Sequence, residues 1–214
     1  MVVKKMKKVY LYTRFERLWH WFQALMIILL LITGFEVHGS YNLMGFEKAV
    51  ELHNTAGLLW LGAFAFFAFW MVITGEWRQY IPTTQKLLVV ARYYAWGIFH
   101  GEEHPVQKSP GAKHNPLQRL TYLGISAMLL PVQMLTGMLY YLYNVLPMGT
   151  SLAPIAILHT LVAFLLANFL IVHIYMTTTG HSPFSHIAGM ITGWEEIYET
   201  TEIEDWETKA VKKS

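Results

Sequence analysis

The stretch Ser151-Leu-Ala-Pro-Ile-Ala-Ile-Leu-His159-Thr-Leu-Val-Ala-Phe-Leu-Leu-Ala-Asn-Phe-Leu-Ile-Val-His173-Ile-Tyr-Met-Thr177 is apolar enough to cross a bilayer, yet it carries two histidines. They are fourteen residues apart. In an α-helix that spacing is about 21 Å of axial rise and brings the side chains back to nearly the same face. One helix therefore holds one imidazole towards each leaflet, both facing one way. Two planar cofactors stacked across a membrane require this arrangement.

The rest of the chain supplies the setting. Of 214 residues, 54% are hydrophobic and 14% charged, against about 25% charged in soluble domains. Four segments reach the roughly 20 apolar residues that a spanning helix needs: about 18–37, 52–75, 117–143 and 152–178. The expected fold is an all-α membrane protein, a four-transmembrane-helix bundle over residues 1–180. Pro131 should kink the third span. Residues 181–214, rich in Glu and Asp, read as a solvated C-terminal tail. The basic start Met1-Val-Val-Lys-Lys-Met-Lys-Lys leads into an apolar run too long for a signal peptide and is expected to be a retained first span.

Four spans put both termini and the loop of about 76–116 on one side. Those segments carry Lys4, Lys5, Lys7, Lys8, Arg14, Arg17, Arg78, Lys86, Arg92, Lys108, Lys113, Arg119, Lys209, Lys212 and Lys213, whereas the opposite loops carry only Lys48. The positive-inside rule then places both termini in the cytoplasm. Trp19, Trp21, Trp77, Tyr140, Tyr141 and Tyr143 fall at the expected aromatic belts. Between Thr83 and Phe99, Lys86 and Arg92 interrupt the apolar runs. A cytoplasmic interfacial amphipathic helix is expected there, because a fifth span would bury Arg92 at a cost of about 2.5 kcal/mol or more.

No cysteine is present, which rules out disulfides, cysteine-held iron–sulfur clusters and haem attached through Cys-x-x-Cys-His. Histidine is the obvious metal ligand. His20, His53, His159 and His173 lie in or at the edge of the spans. Singly, His20 and His53 read as interfacial residues. With alternating helix direction, however, the four fall at two depths, His20 with His173 and His53 with His159, each pair drawn from different helices. Two neutral imidazoles facing each other are the axial ligand set of a six-coordinate haem iron. Gly34, Gly57, Gly62 and Gly137 would let a flat macrocycle approach. A transporter using membrane histidines for metal ions or protons is the other class weighed; it calls for mid-membrane carboxylates and broken, symmetric helices, which the sequence lacks.

The opening Arg14-Phe-Glu-Arg-Leu-Trp-His20-Trp, the His159/His173 spacing and the segment Thr177-Thr-Thr-Gly-His-Ser-Pro-Phe184 resemble the di-haem cytochrome b subunits of periplasm-facing bacterial oxidoreductases. The resemblance is to the gamma subunit of formate dehydrogenase-N and to the b-type cytochrome subunits of thiosulfate reductase and nickel–iron hydrogenase. It implies two haem b groups, with the irons held by His20/His173 on the cytoplasmic side and His53/His159 on the periplasmic side. It also implies an inner-membrane location and a periplasmic iron–sulfur or multihaem partner subunit, with lipid and quinone, not nucleic acid, as the other partners.

Lys113-His114-Asn115-Pro116-Leu117-Gln118-Arg119 opens the third helix. Asn115 suits an N-cap and Pro116 the first helical position; by resemblance Asn115 binds the ring of menaquinone or ubiquinone. His114, Gln118, Arg119 and His181 are candidates for proton supply or propionate contact, whereas His100, His104 and His186 read as solvated loop residues. The implied function is an electron-transfer subunit of a membrane oxidoreductase complex, reducing quinone or, run in reverse, oxidising quinol for a periplasmic sulfur-compound reductase.

Overall fold

The computed structural model describes residues 6–106, 108, 113–145, 149, 151–180 and 182–198. The elements in chain order are β1 (Met6–Tyr10), α1 (Arg14–Val37), α2 (Phe46–Thr74), α3 (Leu87–Ala95), α4 (Pro116–Gly124), α5 (Leu130–Tyr141), α6 (Ala153–Thr177), α7 (Ser185–Thr192) and β2 (Trp194–Tyr198). Short 3-10 turns at Glu76–Tyr80 and Gly97–His100 flank α3. Four helices are long and apolar enough to cross a membrane: Arg14–Val37, Phe46–Thr74, Pro116–Tyr141 and Ala153–Thr177. The chain forms two compact units, a bundle unit of Leu18–Ile73 and Ser126–Val172, and a terminal unit from the described residues of Met1–Arg17, Thr74–Ile125 and His173–Ser214.

In the bundle unit the inward stripe of α2 is Ala49, Ala56 and Trp60, and His53 lies on that same stripe by helical spacing. Met26, Thr33 and Glu36 of α1, Leu130 and Thr136 of α5, and Val162 and Leu166 of α6 complete the interior. Large apolar side chains such as Phe66, Phe69, Leu161 and Ile171 point outward, which an aqueous surface would penalise and lipid accommodates. Glu36 is buried, and its Oε1 accepts from the backbone N–H groups of Leu43, Met44 and Gly45 at 2.8, 2.7 and 2.8 Å. That carboxylate ties down the α1–α2 loop.

Helix boundaries differ from the apolar runs in instructive places. α1 begins four residues before the hydrophobic run because Thr13 and Glu16 form a reciprocal capping box, Thr13 N to Glu16 Oε2 at 2.7 Å and Glu16 N to Thr13 Oγ1 at 3.3 Å. α2 begins at Phe46 rather than near residue 52, since Glu47, Lys48 and Glu51 continue the helix beyond its apolar part. His53 is therefore in the third turn of α2, not at its edge. The kink expected at Pro131 is taken up as a π-helical segment, Ile125–Leu129, between α4 and α5. The wider turn relieves the clash of the proline ring with the preceding backbone.

The terminal unit includes the first part of the expected tail. Residues 185–198 are folded as α7 and β2, and β2 pairs antiparallel with β1, Met6 opposite Tyr198 through Tyr10 opposite Trp194. Gly193 makes the join: its φ is 89°, and a Cβ there would lie 2.5 Å from Tyr10 Cε2 and 2.8 Å from Tyr12 O. β2 is anchored by Ile197, which is buried, and by Glu195. Glu195 Oε1 accepts from Lys108 Nζ at 2.9 Å and lies 2.7 Å from His186 Nδ1. Residues 199–214 and His181 lie outside the described residues. α3 matches the expected short amphipathic helix, with Val90 and Tyr93 inward and Leu88 and Val89 exposed.

Candidate functional site

His53 and His159 meet inside the bundle unit, their ring centroids 6.3 Å apart and their planes at 79°. Each ring rests on a neighbouring helix. Thr33 Oγ1 of α1 is 2.9 Å from His53 Nδ1, and Thr136 Oγ1 of α5 is 3.0 Å from His159 Nδ1. Each threonine hydroxyl donates its proton to its own helix, Thr33 to Leu29 O at 2.8 Å and Thr136 to Val132 O at 2.7 Å. A hydroxyl that keeps its proton on its own helix accepts from the ring, and an imidazole that donates to it from Nδ1 keeps the Nε2 lone pair. Gln133 Nε2 lies 3.1 Å from His159 Nε2, an amide donor facing that lone pair.

The next residue is glycine in both seats. A Cβ on Gly34 would lie 3.2 Å from His53 Cε1, and a Cβ on Gly137 would lie 3.2 Å from His159 Cε1. Those two glycines therefore make room for the imidazoles themselves. Gly57 faces Leu30 Cδ2 at 3.9 Å and Gly62 faces open space.

This arrangement can hold an iron between two neutral imidazoles. Metal–nitrogen bonds of about 2 Å leave the remainder of the 6.3 Å centroid separation to the two ring radii. The Nδ1–H tautomer on both rings is the one that leaves Nε2 free to ligate. Among the described residues no group of three or more His, Asp or Glu side chains is placed to hold a metal ion. A bare-metal site is thus unsupported, whereas a porphyrin, which brings its own four nitrogens, needs only a facing pair.

His20 lies in the second turn of α1, in the bundle unit, its ring edge-on to Trp21 with centroids 5.3 Å apart. Trp19 beside it stacks on Phe67 at 4.2 Å. His173 lies near the end of α6, in the terminal unit.

The α4 entrance also belongs to the terminal unit. Asn115 caps α4, its Oδ1 accepting from Gln118 N at 2.9 Å while Gln118 Oε1 accepts from Asn115 N at 3.0 Å. Asn115 Nδ2 donates to Tyr94 OH at 2.9 Å, and that hydroxyl lies 3.0 Å from His104 Nε2. One Asn115 lone pair and one amide N–H remain for a further partner. Arg119 is buried, with Nε donating to His114 O at 3.1 Å. His114 packs between Tyr80 and Tyr122, ring centroids 5.1 and 5.3 Å away, and its buried Nδ1 has no hydrogen-bond partner. Burial, with the charges of Lys108, Lys113 and Arg119 behind it, lowers the His114 pKa to about 3. At neutral pH His114 is an uncharged wall, not a store of protons.

The sequence reading missed Tyr94 and His104 here. His104 is tied into the cluster rather than solvated, and burial lowers its pKa. His186 likewise has a partner, its Nδ1 lying 2.7 Å from Glu195 Oε1, whereas His100 is exposed and stacks on Trp96 at 4.4 Å. Tyr94 carried a legible signal, an aromatic hydroxyl on the inward face of a short amphipathic helix. Burial raises its pKa to about 12, so it stays protonated.

The family model described as prokaryotic cytochrome b561 matches residues 11–193. The Escherichia coli (strain K12) protein named "Putative cytochrome YdhU" is 33% identical over 198 residues, covering 88% of this chain and 75% of that one. No solved structure matches the chain. With four helices fit to span a membrane and an imidazole pair suited to a haem iron, the chain belongs to the prokaryotic cytochrome b561 family, membrane electron-transfer proteins carrying b-type haem.

Proposed function

We propose that this chain is a di-haem membrane-anchor subunit that passes electrons between a periplasmic redox partner and the quinone pool of a bacterial inner membrane, with both termini cytoplasmic. His53 and His159 hold one haem b, and His20 and His173 the other. When bound, the two haems supply one-electron relay between the partner's iron–sulfur or multihaem centre and the quinone. The observation that carries this reading is the facing His53/His159 pair, each ring seated on a threonine so that Nε2 is left for iron.

The quinone, menaquinone or ubiquinone, is placed at the α4 entrance. There the spare capacity of Asn115 would meet the ring, Gln118 holds Asn115 in its cap, and Arg119 would supply positive charge to the quinone or to a haem propionate. His114, neutral and walled by tyrosines, contributes shape and a hydrogen-bonding nitrogen. The Tyr94 hydroxyl, bonded to Asn115 Nδ2 and 3.0 Å from His104 Nε2, adds a hydrogen-bonding group beside the same site. The excess of Lys and Arg in the termini and the 76–116 loop supports the cytoplasmic placement.

Haem-to-chain ratio tests the assignment. The purified protein is expected to hold two haems b, and His159→Ala and His173→Ala to lose one each. Unchanged haem content in both variants would refute it.

A further inference from the structure

We propose that Thr33 and Thr136 are positioning residues that fix the tautomer and angle of His53 and His159 and thereby lower the reduction potential of the haem those histidines hold. The inference rests on the ligand assignment above and adds what sets the electronic character of the ligands.

A threonine inside a membrane helix has a plain structural reading, because its hydroxyl bonds back to the carbonyl four residues earlier. Thr55 and Thr192 do this on exposed positions, bonding Glu51 O and Ala188 O at 2.8 Å each. Thr33 and Thr136 make the same bond but are buried, 0% and 4% exposed. Each also presents its oxygen to an imidazole Nδ1, at 2.9 and 3.0 Å. The back-bond is then part of the device. It commits the hydroxyl proton to Leu29 O or Val132 O, so the oxygen can only accept, and polarisation along the chain strengthens it as an acceptor.

The two seats are built alike from different helices. Thr33-Gly34 on α1 receives His53 of α2, and Thr136-Gly137 on α5 receives His159 of α6; a Cβ on either glycine would come within 3.2 Å of the ring Cε1. The hydroxyl sets which nitrogen carries the proton and the missing Cβ sets how close the ring lies. An imidazole that donates from its far nitrogen is a more basic ligand, and such partners fix ring orientation. A more basic axial ligand favours the ferric state, so loss of either hydroxyl should raise the midpoint potential.

The test uses Thr33→Val and Thr136→Val, which keep the shape and remove the acceptor, with Thr33→Ser and Thr136→Ser, which restore it. Both valine variants should raise the midpoint potential of one haem in a redox titration, leave the other haem unmoved, and weaken binding of that haem by about ten-fold or more. The serine variants should return both readouts towards the parent protein. Nitrogen-15 spectra of histidine-labelled haem-free protein, which need no substitution at these sites, should show two rings protonated at Nδ1. Valine variants with unaltered potential and affinity, serine variants that behave like valine, or rings protonated at Nε2 would overturn the inference. Full haem content in His53→Ala would instead overturn the ligand assignment beneath it.

Discussion

The bundle unit and the terminal unit handle buried polarity in opposite ways. In the bundle unit buried polar side chains are few, and around the two histidines one arrangement repeats, an imidazole on a threonine hydroxyl with a glycine beside it. In the terminal unit they form an ionic web, Lys113 Nζ with Glu16 Oε1 at 2.6 Å and Lys108 with Glu195, His186 and Tyr12. A low-dielectric interior that holds an electron carrier does best with neutral ligands whose protonation is fixed, because a group that titrates there moves the potential with it. A region that exchanges electrons and protons at the water boundary needs charge and hydroxyls. The difference teaches that one unit holds its buried imidazoles in neutral threonine seats while the other balances buried charge with opposite charge.

The largest effect should come from His53→Ala combined with His159→Ala. One haem is lost entirely, while amide exchange protection in β1 and β2 stays at the parent level; loss of that protection would show that the two regions are not separable. Next is Lys113→Met, which takes the cation from Glu16 Oε1 in a partly buried place and leaves Oε2 with its capping bond to Thr13 N. Breaking one side of a buried ion pair costs about 3 kcal/mol, so the terminal unit should unfold at lower denaturant, with the His53/His159 haem spectrum retained.

Acid should act on the terminal unit in two stages. His114 titrates near 6.5 when unfolded and at about 3 when folded, so its folded state loses stability as pH falls from 6.5 towards 3. Burial alone would raise the Glu195 pKa, but the His186 hydrogen bond and the Lys108 charge outweigh it and hold the carboxyl at about 2. The stability it contributes is full above about 4.5 and lost as pH falls towards 2. Amide exchange followed against pH should show the α4 entrance loosening first and β1–β2 second. The reverse order would contradict these environments.

The smallest effect should come from Gly34→Ala or Gly137→Ala. The added Cβ, 3.2 Å from an imidazole carbon, requires the ring to shift by a few tenths of an ångström. A small change in the low-spin haem spectrum is expected, with haem still bound. An unchanged spectrum in both would mean that the seats do not set ring angle.

Much of this architecture was legible in the chain alone. Four spans follow from apolar runs, the α4 cap from Asn115-Pro116, and the meeting of His53 with His159 from helix direction and depth. The start of α2 was hidden because its first turns carry Glu47, Lys48 and Glu51, which a hydropathy reading excludes. The β1–β2 pairing was hidden because Tyr10 and Trp194 are far apart in sequence and both strands are charged. Thr33 and Thr136 carry no local signal that sets them apart from other threonines of the spans. Their part depends on a ring contributed by another helix, and no local pattern in one segment records that.

A cryo-electron microscopy map of the purified protein in lipid, fine enough to show ring planes, tests the ligand assignment most directly. Two porphyrins are expected, one with axial density joined to His53 and His159 and one joined to His20 and His173. Porphyrin absent from between α2 and α6, or iron held there by any other side chain, would contradict it.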